Sequence, residues 1–172
     1  MAKHREYKLT NAAERVEKDI RTILSRQQST RYFEGIILMY SLIENTLKWL
    51  IFVKVVWDKC DRVLPFRELE SLKGFCNQQD FFSALNLGLA TGLIKRPLFR
   101  RIDIIRRERN DIVHQFYLFT HRRNTRVLRA KLERLVSIAD ELFVVFNNLV
   151  KETGADETYD IFKVRRKKQM LI

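Results

Sequence analysis

Apolar residues recur along most of this chain by threes and fours, the spacing of one face of a helix. Val16, Ile20, Ile23 and Leu24 form the first such face. Asn11 and Glu14 have the spacing of a capping box, which predicts a helix starting at Asn11 and ending in the polar run SRQQST. A second helix is predicted over residues 31–56, with Phe33, Ile37, Tyr40, Leu47 and Ile51 on one face and Glu44 near the middle of that face. Its C-terminal half, WLIFVKVVW, is apolar nearly all round, so it must be surrounded by its own fold or by a second subunit.

DKCDRVLPFRELESLKGFCNQQ reads as a connecting region in which Pro65 opens a short helix over 66–73 and Gly74 ends it. Asp80 is placed to cap FFSALNLGLA, whose end Gly88 and Gly92 weaken. Pro97 opens the next helix, which fades near Phe119, and THRRNT follows as a basic loop. Asn124 or Thr125 then caps a long helix in which Leu128, Leu132, Leu135, Ala139, Leu142, Phe146 and Leu149 repeat by four and three until Gly154 stops it. The pattern therefore predicts an all-α fold, an antiparallel bundle of about four to five long helices. It spans residues 1–154 and is followed by a basic tail over 155–172.

One position breaks the pattern. In LFRRIDIIRRERNDIVHQF, the residues Leu98, Ile102, Ile105, Ile112 and Phe116 share a stripe, and Arg109 fills the gap in it. An unpaired cation on a core face costs several kcal/mol. Either Arg109 pairs with a buried carboxylate, or its face opens onto a polar cleft or a second subunit. Glu44 is the acid on the facing stripe of the second helix, and two misplaced opposite charges make sense as a pair. Such a pair can also be purely structural, fixing only the register of the two helices. Asn110 and His114, four residues apart, are neighbours on the same helix surface. Arg109 and His114 diverge by about 140° on an ideal helix, so a second copy across a two-fold axis is one way to bring them together.

Composition narrows the class. A chain of 172 residues with 46% hydrophobic residues is one domain with a real core. The 5 Gly and 2 Pro supply few turns, which argues against a strand-rich fold. The net charge of +12 calls for a polyanion, either nucleic acid or an anionic membrane, against the plainer reading of a basic surface kept for solubility or for an acidic protein. Cys60 and Cys76 form no C-x-x-C, and His4, His114 and His121 do not cluster with them, so neither a zinc site, a disulfide framework nor a cofactor is expected. MAKHREYKL has no apolar segment of a signal peptide, and Glu44, Asn45, Lys48 and Lys54 interrupt the most apolar run; a cytoplasmic protein without a membrane partner is expected. Arg100, Arg101, Arg106 and Arg107 precede Arg109, and Arg122, Arg123 and Arg126 follow His114. Such charges are usually a solvated face, but clustering on both sides of one motif favours a surface that follows phosphates.

Arg109-Asn110-x-x-x-His114 resembles the R-N-x-x-x-H signature of HEPN-domain proteins. The likeness extends to helix order over residues 10–152, with SLIENTLKWLI resembling the acid-bearing helix before the motif, but only the six-residue motif is specific. The resemblance implies a metal-independent RNA endonuclease, a toxin or defence effector acting as a homodimer with a composite cleft and regulated by an antitoxin or another protein. It implies that His114 is the general base or acid, that Arg109 stabilises charge on the phosphoryl oxygens, and that Asn110 orients the phosphate or His114. One HEPN subfamily extends the signature to H-x-Y, whose tyrosine is a modification site; here that position is Phe116, with Tyr117 one later, so the chain departs from that subfamily's pattern. HEPN proteins also include members that bind nucleotides or partners without cleaving, and a non-catalytic dimer is the alternative.

Overall fold

The computed structural model describes residues 9–59, 66–114 and 125–153, and among these it is all-helical, with no strand. Six α-helices follow in order: α1 (Leu9–Ser25), α2 (Tyr32–Lys59), α3 (Phe66–Gln78), α4 (Phe81–Ala90), α5 (Arg96–His114) and α6 (Thr125–Thr153). A single 3-10 turn, Ser29–Arg31, leads into α2.

Several boundaries differ from expectation. The described part of α1 begins at Leu9, so Asn11 lies within the helix and not at its cap. Gly74 does not end α3, which runs on to Gln78. A single glycine costs a helix about 1 kcal/mol, and α3 recovers more than that by burying Leu69 and Cys76, two turns apart on one side. Asp80 caps α4 as expected, its carboxylate accepting the backbone N–H of Ser83 at 2.8 Å. The turn after α4 needs Gly92, whose φ of +68° is in the left-handed region. The predicted stop at Gly154 and the tail over 155–172 lie outside the described residues.

The core is built on α2. Ile36, Ile43 and Leu50 are buried completely, and Trp49, Ile51, Phe52, Val53 and Val56 of the all-round apolar half are buried as well. The chain covers that half by itself, Trp49 for instance packing on Phe146 of α6. Its apolar excess therefore does not call for a second subunit, contrary to one of the two ways of surrounding it. Tyr32–Asp58 is long and apolar enough to cross a membrane by length and composition, but 61% of its most apolar window is buried within the fold.

The helix directions are mixed, so the bundle is not antiparallel throughout. Gly35 of α2 meets Leu132 of α6, and Trp49 of α2 stacks on Phe146 of α6 with ring centroids 4.8 Å apart. Contacts that advance together in both helices mean that α2 and α6 run parallel. Close approach there depends on Gly35, because a Cβ at that position would lie 3.0 Å from Ile20 and 3.1 Å from Leu132. By contrast α5 runs antiparallel to α6, since Arg101 pairs with Glu141 while Glu108, two turns later, pairs with Lys131 and Arg134.

Candidate functional site

Arg109 and Glu44 meet. Nη1 of the arginine lies 3.0 Å from Oε2 of the glutamate, joining α5 to α2. The setting is less buried than the two stripes imply. Arg109 sits among Ile102, Ile105 and Ile112, which are buried, yet its own side chain is 36% exposed. Glu44 is 15% exposed and stands at the edge of the deepest face of α2, not at its middle. The reason is that α2 is apolar on several sides: Ile36, Ile43 and Leu50 define the deepest face, while on the side of Glu44 Tyr40, Leu47 and Ile51 are buried and Phe33 and Ile37 only half-buried.

The carboxylate of Glu44 has a second cation. Lys48 Nζ lies 2.8 Å from Oε1, and its side chain is only 12% exposed. The same ammonium donates to the backbone carbonyl of Asn77, near the C-terminal end of α3, at 3.3 Å. A cation at a helix C-terminus also meets the negative end of the helix dipole. Glu44 thus ties α2 to α5 through Arg109, and Lys48 ties the same point to α3. Two cations share one carboxylate, which leaves net positive charge beside the motif. Lys48 was legible in the sequence, being four residues after Glu44 on one helix.

Asn110 is exposed, next to Arg109 on the outer side of α5. The backbone of residue 114 closes α5, but the side chain of His114 lies outside the described ones, as do Arg122 and Arg123. The remaining arginines divide by their partners. Arg101 reaches α6, pairing with Glu141 and donating to Ser137 Oγ at 3.1 Å, so it faces away from Asn110. Arg106 and Arg107 both hold Asp103, at 2.8 and 2.7 Å. Burial pushes the Asp103 carboxyl up, but the hydrogen bonds and charges of the two arginines outweigh it and hold the group below its ordinary value. Arg106 also lies over the ring of Phe82 on α4, its guanidinium carbon 4.7 Å from the centroid. Arg100 and Arg126 are exposed.

A cleft of about 510 Å³ opens at the opposite end of α5, lined among others by Pro97, Leu98, Glu141 and Asn148. Neither Arg109 nor Asn110 lines it. Among the described residues no group of three or more His, Cys, Asp or Glu side chains gathers where a metal ion could sit. No family model matches the chain, and comparison with curated proteins and with solved structures finds no match either.

The arrangement presents an anchored guanidinium with an exposed asparagine beside it, on a surface with excess positive charge. Chemically, such a set can hold a phosphodiester and neutralise charge that develops on it.

Proposed function

We propose that the protein is a metal-independent RNA endonuclease of the HEPN type, working as a homodimer, with Arg109, Asn110 and His114 of both copies around one phosphate. The observation that carries this reading is the Arg109–Glu44 ion pair, which fixes the motif's cation at a set place on α5, beside Asn110. A guanidinium held in this way needs no reorganisation when phosphoryl charge grows, which is the main electrostatic route to catalysis.

In the reaction, the 2′-oxygen attacks the adjacent phosphorus while the bond from phosphorus to the 5′-oxygen breaks. One His114 accepts the 2′-hydroxyl proton, and the His114 of the second copy donates a proton to the departing 5′-oxygen. The products are a 2′,3′-cyclic phosphate and a 5′-hydroxyl. Arg109 neutralises the non-bridging oxygens, and Asn110 orients the phosphate. Biologically this is the activity of a toxin or defence effector, held in check by an antitoxin or another regulatory protein.

The test is purified protein with RNA in excess chelator, with products resolved for the cyclic phosphate. Cleavage by the parent and its loss in His114→Ala and Arg109→Ala are expected, with RNA affinity nearly unchanged in His114→Ala because binding rests on the basic surface. Cleavage that survives both substitutions, or that requires magnesium, overturns the reading. Light scattering reads the assembly, and a monomer at micromolar concentration removes the composite site.

A further inference from the structure

The ion pairs of α5 sort its arginines by direction. Arg101 and Glu108 bind α6, and Arg109 binds α2. On the remaining flank, positions 96, 100, 103, 107, 110 and 114 follow one another by four and three residues along the helix. Arg96, Arg100, Arg107 and Asn110 are exposed there, Arg107 by 71%. The one acid in the row, Asp103, is already engaged by Arg106 and Arg107. The flank is a basic track that leads to the motif.

Phe82 borders this track. It is the second residue of α4, and its ring is 48% exposed. A lone exposed apolar residue needs no explanation. This one is different because Arg106 covers the ring from α5 and is itself pinned by Asp103, with Nε at 2.9 Å. Asp80, at the start of α4, adds its charge near Arg106. The aromatic plane is thus fixed in place without being buried. Arg106 is one helical turn, about 6 Å, before Asn110. That is close to one nucleotide step along an extended strand.

We infer that Phe82, backed by Arg106, is a stacking platform for an unpaired base next to the scissile phosphate, and that the Arg96–Arg100–Arg107 flank of α5 carries the backbone of the same strand. Resting on the nuclease reading, the inference names its substrate class as single-stranded RNA. A duplex keeps its bases stacked on one another and offers none to a side chain, whereas single-strand sites combine cationic tracks with aromatic faces. Charge complementarity along α5 favours RNA over a second protein surface on this flank.

Binding is measured by fluorescence anisotropy in the His114→Ala background, so that cleavage does not interfere. The probes are a short fluorescein-labelled RNA of mixed sequence and the same strand annealed to its complement. Phe82→Ala is expected to weaken single-strand binding about tenfold and to leave duplex binding unchanged. Phe82→Trp is expected to restore the affinity, with tryptophan fluorescence quenched by RNA more than in the parent. Equal loss for both probes, or no loss for either, overturns the inference. So does conversion of Phe82→Ala to a monomer in light scattering, which would make the ring a contact between copies. Failure of the nuclease reading is seen separately, as absence of chelator-resistant cleavage in the parent.

Discussion

Replacing Glu44 with alanine removes the acid shared by Arg109 and Lys48. Breaking a fully buried ion pair costs about 3–5 kcal/mol, and an exposed pair contributes about 0–1 kcal/mol. Arg109, at 36% exposed, is compensated in part by water. Lys48 keeps the Asn77 carbonyl but is only 12% exposed. The loss falls between the two limits, at about 2 kcal/mol. For a chain of this size that is a fall in Tm of about 4–8 °C, read by a thermal melt followed by circular dichroism. Glu44→Gln keeps the shape and some hydrogen bonding, so it melts closer to the parent yet cleaves RNA poorly, because the guanidinium is no longer held by charge. The double change with Arg109→Ala is less damaging than the sum of the singles, with a coupling of about 1 kcal/mol. Strict additivity, or a Tm within about 1 °C of the parent for Glu44→Ala, refutes the claim that this pair fixes α5 on α2.

Gly35→Val places two methyl groups where a single Cβ already comes within 3.0 Å of Ile20 and 3.1 Å of Leu132, so chemical denaturation shows a loss of about 1–3 kcal/mol. Asp103 has its carboxyl held below the ordinary value, so it stabilises the fold above its unfolded pKa and that contribution disappears as pH falls through the folded one. Melts below about pH 4 therefore fall less steeply for Asp103→Asn than for the parent. Changing Arg96 and Arg100 to glutamine lowers the slope of log affinity against log salt by about 0.7 for each single-strand phosphate that is no longer neutralised, measured by titration at several salt concentrations.

What could be read from the sequence depended on how many sides of a helix are buried. α6 has one apolar side, and its repeat from Leu128 to Leu149 marks the core positions directly, since Leu132, Leu135, Ala139 and Leu142 are all buried. The apolar residues of α2 lie on several sides, so periodicity marks a face but not the deepest one, and it puts Glu44 more centrally than the fold does. The Glu44–Arg109 pair was legible because each charge interrupts an apolar stripe. The exposure of Arg109 was not, because it depends on how closely other helices pack near the end of α5. Helix direction was out of reach for a similar reason: a repeat of three and four fixes a face and says nothing about which way a distant partner runs. Phe82 gave no signal either, since its meaning comes from Arg106 on another helix.

The parallel pairing of α2 with α6 has a consequence for how the protein is made. α2 packs more extensively on α6 than on any other helix, and α6 is the last described element to be synthesised. At ordinary rates of translation about 5–20 s separate the appearance of Gly35 from that of Leu132. Throughout that interval α1, α3, α4 and α5 can gather on α2, and Arg109 can find Glu44, but the side of α2 meant for Leu132 and Phe146 stays open to water. On the unfinished chain that apolar side of α2 is exposed, the kind of surface that favours aggregation during folding, and the arrival of α6 is the step that covers it.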